Sequence, residues 1–157
     1  MSIEVRPVKD GDFFAWLDVY AKYAEFYDTE LTDQKALVLW SWLTADDHEE
    51  NGYIAVDGDR IIGLAHVREF PRPLEGDRGL FVDDLFVIEE ERSKHVGTAL
   101  LQHVRSLAEE RGLGVVQWIT AHDNSTAQKL YDEVAERTGW VTYEIDLATA
   151  PAQGGRA

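Results

Sequence analysis

Cysteine is absent from the 157 residues. A disulfide framework, a thiolate metal site and a cysteine nucleophile are therefore excluded. Positive charge is scarce as well. Fifteen Lys and Arg stand against thirty Asp and Glu, a formal net charge of −15. Phosphate backbones need basic patches, so no nucleic acid is expected as a partner. Such a surface steers cationic molecules inward, and equally serves to keep a protein soluble. No apolar run is long enough to cross a bilayer, and the opening MSIEVRP lacks the layout of a secretory signal. No membrane partner and a cytoplasmic location are the resulting expectations. The five histidines show no metal-ligand spacing, so no metal is expected.

Hydrophobic residues make up 45% of the chain, enough for one domain with a real core. A single domain over 1–147 is expected, followed by a disordered tail, 148–157, with nothing to bury. Ile3 to Arg6 reads as a strand. Asp10 or Asp12 is placed to cap a helix with the apolar stripe Phe13, Leu17, Tyr20, Ala21, Ala24 and Tyr27. Ala36, Leu39, Trp40 and Leu43 mark a second helix. Tyr53–Val56 and Ile61–Val67 flank Asp57-Gly58-Asp59, a hairpin pattern. Leu80 to Ile88 is a strand. A helix carrying Leu100, Leu101, Val104, Leu107 and Ala108 stops near Gly112. A strand over Leu113–Thr120, a helix over Asn124–Arg137 and a strand over Trp140–Leu147 complete the order. Hairpins and crossovers together predict a mixed α/β sheet covered on both faces.

Two stretches carry chemistry. In the first, Leu85 to Leu101, a strand passes through the polar loop Arg92-Ser93-Lys94-His95 into a helix at Val96. Free backbone N–H groups at such a helix start cradle anions, and Arg92 and Lys94 add positive charge. Many strand–loop–helix units bind nothing, so this stretch alone leaves both possibilities open. In the second, Thr120 to Tyr131, Asn124 and Tyr131 are seven apart and share a helix face with Ala127 between them. A tyrosine hydroxyl is a competent general acid, and equally a core aromatic.

Taken in this order the stretches resemble the GNAT acetyltransferase superfamily over most of the chain, Ile3 to about Leu147. The family's phosphate motif is Arg or Gln, two residues, Gly, one residue, then Gly or Ala. Here it reads Arg92-Ser93-Lys94-His95-Val96-Gly97. The motif Asn-x-x-Ala-x-x-x-Tyr is met by Asn124, Ala127 and Tyr131. Val82-Asp83-Asp84-Leu85-Phe86-Val87, Trp118-Ile119-Thr120 and Leu130 to Ala135 are similar to the branch related to fungal histone and polyamine acetyltransferases. The resemblance implies a mixed, mostly antiparallel sheet of six or seven strands, with helices on both faces and a splayed cofactor cleft. It implies an acetyl-CoA-dependent N-acetyltransferase acting on a primary amine by direct attack in a ternary complex. Leu85, Phe86 and Val87 are then expected along the pantetheine arm. Arg92 and the amides of Ser93, Lys94, His95, Val96, Gly97 and Thr98 are expected at the pyrophosphate. Asn124 and Ala127 are expected against the cofactor, and Tyr131 as proton donor to the leaving thiolate.

Two departures from the family stand out. His95 replaces the motif's first glycine, which matters if that position needs positive φ. Seven residues separate Tyr131 from Gly139, more than the family usually shows, so helix extension is expected to consume the sixth strand, and no seventh is expected after Leu147. The open sheet edge suggests a homodimer.

The acceptor amine arrives as an ammonium, pKa ~10.4 for a lysine-like group. Asp83 and Asp84 are candidates to bind it or take its proton. Successive strand residues face opposite sides, so at most one is expected in the cleft. Glu25, Tyr27 and Asp28 are candidates for the opposite wall, with a solvated helix end as the plainer alternative. His66 reads as a satisfied strand histidine and His122 as a cap or surface residue. A small cationic amine is the first acceptor class. A protein lysine or N-terminus, and a non-catalytic acyl-CoA-binding module, are the alternatives.

Overall fold

A computed structural model describes residues 2–147; the expected tail, 148–157, lies outside the described residues. The chain divides into two compact units, 1–121 and 122–157.

In the first unit five strands lie in the order of the sequence: β1 (Ile3–Pro7), β2 (Glu50–Asp57), β3 (Arg60–Arg72), β4 (Asp77–Val87) and β5 (Val116–Trp118). β1 to β4 are antiparallel and β5 joins β4 in parallel. β2 and β3 turn through Gly58, whose φ of 64° suits a tight hairpin. Helix α1 (Phe13–Phe26) and helix α2 (Asp33–Leu43) cover one face, and α3 (Val96–Glu110) covers the other. Coverage on both sides explains why Ile54, Ala55, Ile62, Leu64, Ala65 and Val67 are all buried without polar alternation. Gly63 is required by this packing. A Cβ there would lie 2.9 Å from the Phe86 carbonyl and 3.2 Å from Leu100.

Local signals explain the helix boundaries, with one change. Thr32 caps α2 by accepting the Lys35 N–H at 3.2 Å. α3 closes with Gly112 at φ 69° and a Leu113 N–H to Ala108 carbonyl bond, the glycine-terminated arrangement. Asp12 stands at the start of α1 but does not cap it. Its buried carboxylate accepts instead from the Lys9 N–H at 2.9 Å and from Arg6 at 2.8 and 3.0 Å.

Strand β5 is shorter than the sequence pattern suggests, because Leu113 is consumed in closing α3. The β4–β5 ladder covers only Leu80 to Val82 against Val116 to Trp118. From Asp84 to Val87, β4 is paired to β3 alone. This is the expected divergence of the two strands.

In the second unit, α4 runs from Ser125 to Val134, ending three residues before the expected Arg137. The Ala135 N–H closes it on the Tyr131 carbonyl, and Ala135 is extended. Trp140–Leu147, read as a strand, forms none among the described residues, and its large apolar side chains are exposed. A strand needs a ladder partner, and alternation of side chains alone does not provide one. The sheet therefore has five strands rather than six or seven.

Candidate active site

Two features in the first unit are built to take charge. The first is the loop before α3. After a turn at Glu89–Glu91, Ser93 and His95 both take left-handed φ, 64° and 66°. His95 thus adopts the conformation for which glycine is suited, at a cost of roughly 1–2 kcal/mol. Histidine tolerates this region better than most residues. No side chain caps the helix, so the N–H groups of Val96, Gly97 and Thr98 open it without intrahelical acceptors. Arg92 ties the loop to β4. Its Nε donates to the Val87 carbonyl at 3.0 Å, and its guanidinium lies 5.3 Å from the Phe26 and Phe86 rings. Lys94 pairs with the buried Glu91 at 3.1 Å. Leu85, Phe86 and Val87 form the end of β4 beside this loop.

The second is a cavity of about 760 Å³ between the end of α1, α2 and the sheet. Tyr20, Tyr23 and Tyr27 line one side, Leu39 and Trp42 another, and Glu50, Arg68, Asp83 and Asp84 the sheet side. Asp83 and Asp84 both reach it, which corrects the expectation from strand alternation. The reason is a β-bulge. His66 pairs with Asp84 and Val67 with Val82, leaving Asp83 as the extra residue on β4. A bulge re-aims one side chain, and here it places two consecutive carboxylates on one side. Tyr27 lines the cavity, while the exposed Glu25 and Asp28 are not among its lining residues.

Asp84 ends a directed chain of hydrogen bonds. The Trp16 indole, a donor only, gives its proton to His66 Nε2 at 3.0 Å. His66 Nδ1 must then carry the ring proton, and it donates to Asp84 Oδ2 at 2.8 Å. The Tyr20 hydroxyl donates to the same oxygen at 2.9 Å. His66 is fully buried with both nitrogens engaged, a satisfied strand histidine that positions Asp84. Burial would raise the Asp84 carboxyl, but His66, Tyr23 and Tyr20 outweigh it and hold it below the ordinary range. Burial and the nearby Asp84 charge push Tyr20 and Tyr23 up, and Tyr27 less strongly.

Asp83 accepts both its bonds from Arg68 Nε, at 3.1 and 2.9 Å. Beside it Glu50 is pushed up to about 9, first by burial and then by hydrogen bonding to Asp83 and the charges of Asp83 and Asp84. Trp16, Tyr20, Tyr23, Glu50 and Arg68 were not singled out by sequence reasoning. Tyr20 was legible only as part of an apolar stripe. Glu50 follows Asp46, Asp47, His48 and Glu49, and that run reads as a solvated loop.

In the second unit Asn124 caps α4, its Oδ1 accepting the Ala127 N–H at 3.3 Å. Tyr131 lies two turns further along the helix. His122 accepts a bond at its carbonyl from Gln128 at 2.9 Å. No helix among the described residues is long and apolar enough to cross a membrane, and no metal-binding cluster occurs among them.

Residues 16–135 match the acetyltransferase (GNAT) family. The chain belongs to that family. It is accordingly an N-acetyltransferase. It is 32% identical over 145 residues to the D-amino-acid N-acetyltransferase HPA3 of Saccharomyces cerevisiae, covering 90% of this chain and 89% of that one. An uncharacterized N-acetyltransferase, YhfO of Bacillus subtilis, is 27% identical over 147 residues, covering 92% and 98%. The fold is shared with AAC(6')-Iy in complex with the bisubstrate analogue CoA-S-monomethyl-acetylneamine, at a TM-score of 0.80 and 18% identity, covering 93% and 99%.

Proposed function

We propose that this N-acetyltransferase moves the acetyl group of acetyl-CoA onto the primary amine of a small cationic compound, by direct attack in a ternary complex. The observation that carries the acceptor class is the cavity. It gathers Glu30, Glu50, Asp83 and Asp84 against two cations, Arg68, already matched to Asp83, and Lys35, tied to the Glu30 carbonyl. A cation is attracted there and an unpaired anion is not. The bare N–H groups of Val96, Gly97 and Thr98, with Arg92 nearby, fit a pyrophosphate. The amides of Ser93, Lys94 and His95 extend that cradle. The edge of β4 at Leu85, Phe86 and Val87, unpaired on the β5 side, fits an amide-bearing arm. Acetyl-CoA supplies the acetyl group as a thioester. Asp83 and Asp84 hold the ammonium, which must lose a proton before it can attack. In this reading Asn124 and Ala127 contact the cofactor, and Tyr131 protonates the leaving thiolate.

The test is a panel of amines, with released CoA detected as free thiol. Diamines and polyamines should turn over best, and a best substrate that is neutral or anionic would overturn the reading. Tyr131→Phe should lower kcat by ~10²–10⁴-fold while Tm stays near wild type. An unchanged kcat would remove Tyr131 from the mechanism.

One observation favours a second reading, an amino acid as acceptor. Arg68 uses Nε on Asp83, and its outer nitrogens bond no partner among the described residues. A fork of that kind suits a carboxylate next to an ammonium. The similarity to a D-amino-acid N-acetyltransferase points the same way. D- and L-amino acids therefore belong in the panel beside the polyamines.

A homodimer is proposed on the exposed, alternating apolar side chains of Val141, Tyr143, Ile145 and Leu147, which a second copy would cover. Light scattering that gives a monomer at micromolar concentration would count against it.

A further inference from the structure

Within the cavity, Glu50 differs from the other carboxyl groups in how it is satisfied. Asp84 has His66 and Tyr20, and Asp83 has Arg68. Glu50 is only 9% exposed, and its Oε2 is buried with no hydrogen-bond partner. Asp83 lines the same cavity, and its carboxyl group and charge act on Glu50. Two carboxylates this close cannot both stay ionised away from water, and one proton shared between them removes the conflict. The surroundings supply only a partial remedy. β4 presents Asp83 and Asp84, and β3 presents Arg68, whose Nε is taken up by Asp83 and whose charge favours ionised Glu50 but is outweighed by burial and the two aspartates. Lys35 of α2 lines the same cavity but donates to the Glu30 carbonyl at 3.0 Å. His48, in the turn before β2, accepts the Glu50 backbone N–H at 3.0 Å and does not donate to its side chain. The α1 side contributes the Tyr20 and Tyr23 hydroxyls, both drawn to Asp84.

We propose that Glu50 and Asp83 form a proton-sharing carboxyl pair that recognises an ammonium group by releasing its proton as the cation enters. The proposal rests on the cavity being the acceptor site. The free pair carries one negative charge and one O–H bond. When R–NH₃⁺ arrives, that O–H bond breaks, the proton leaves through the open cavity to solvent, and both carboxylates face the cation. Charge is conserved, with one cation in and one proton out. Asp84 stays ionised throughout, held by His66 and Tyr20, and supplies a constant field. The unpartnered Oε2 of Glu50 gains a donor only in the occupied state. Glu50 is thus a specificity-determining residue. A neutral ligand cannot replace the lost proton, so the pair discriminates by charge as well as by shape.

The linkage sets a clear expectation. Each binding event should release close to one proton at neutral pH. The apparent affinity for a cation should then rise up to tenfold per pH unit until Glu50 itself titrates, at about 9. The measurement is calorimetry of 1,4-diaminobutane binding to the full chain, in phosphate and in Tris, whose different ionisation heats count the protons. Glu50→Gln keeps the shape, leaves nothing to release, and should flatten the pH dependence. Glu30→Gln removes a carboxylate that lines the same cavity outside the pair and should leave the release intact. Wild type that releases no proton, or Glu50→Gln that releases as many, overturns the proposal, as does a failure to bind the diamine. Infrared spectra supply a reading independent of any ligand. A protonated-carboxyl band at neutral pH should be present in wild type and missing in Glu50→Gln, and its absence from wild type would also overturn the pair. The acetyl-transfer panel separates the two ideas. Acetylated amine without proton release sinks the pair alone, whereas no turnover of any amine sinks the proposed acceptor chemistry.

Discussion

The loop before α3 and the cavity beside β4 both present polar groups to solvent, by opposite means. The loop uses backbone. Its N–H groups are bare, its strain sits in φ, and its side chains are turned to structural tasks: Arg92 on Val87 and the Phe rings, Lys94 on Glu91. The cavity uses side chains carried on helix and on a bulged strand, with Asp83 and Asp84 held by donors. Where backbone N–H groups are what is presented, side-chain identity matters less, and a histidine can occupy a left-handed position suited to glycine. Where side chains are presented, each substitution leaves a partner behind. Changes in the cavity should therefore be felt strongly and changes in the loop weakly.

The largest effect should come from Asp84→Ala. It leaves the His66 Nδ1–H and the Tyr20 hydroxyl without their acceptor, and each buried orphan costs about 1–3 kcal/mol. Urea denaturation should show a loss of several kcal/mol. The loss should also depend on pH. A carboxyl held low in the folded state contributes stability above its unfolded value near 3.8, and that contribution disappears as pH falls through the folded value. The gap between wild type and variant should thus shrink in acid. A gap that is the same at all pH values would mean that Asp84 is not held down by its donors.

Trp16→Phe should cost somewhat less, about 2 kcal/mol, because it orphans only His66 Nε2. Its sharper signature is in nitrogen NMR. Wild-type His66 should be a single Nδ1–H tautomer, and the variant should allow the other. A wild type with the proton on Nε2 would break the relay.

Glu50→Gln should have the opposite sign. A carboxyl raised in the folded state contributes stability that is complete below its unfolded value of about 4.5 and is lost as pH rises through about 9. The glutamine has no such loss, so its Tm should gain on wild type steadily across that window. Parallel melting curves would remove the buried-proton account.

The smallest effect belongs to the loop. His95→Gly relieves the left-handed strain but adds freedom to the unfolded chain, so it should stabilise by about 1 kcal/mol or less. Acetyl-CoA affinity, followed by calorimetry, should change little. A large loss of affinity would show that the imidazole itself takes part and that the backbone-only account of the loop is wrong.

Much of this molecule is local, and local features are legible in sequence. The apolar stripe of α3, its stop at Gly112, the hairpin at Gly58 and the loop from Arg92 to Gly97 each depend on neighbours a few residues away. The asparagine and tyrosine of α4 are likewise a spacing within one helix. These gave the family and the layout of a charge-binding loop. The pattern of Trp140–Leu147 predicts a strand for the same reason, and none forms among the described residues. Alternation is a local property, but pairing is not.

The cavity beside β4 was decided by tertiary structure. Strand periodicity puts Asp83 and Asp84 on opposite sides; the register shift against His66 and Val67 brings them together, and that shift depends on β3, which no pattern within β4 contains. Glu50 looks like the end of an acidic loop until β2 carries it beside Asp83. Trp16 and His66 are fifty residues apart, and only packing of α1 on the sheet makes one set the tautomer of the other. Short-range geometry writes helices, turns and N-terminal amides into the sequence, because it acts through covalent neighbours. Burial, proton sharing and hydrogen-bond direction arise from groups that meet through space, so the fold has to form before they exist.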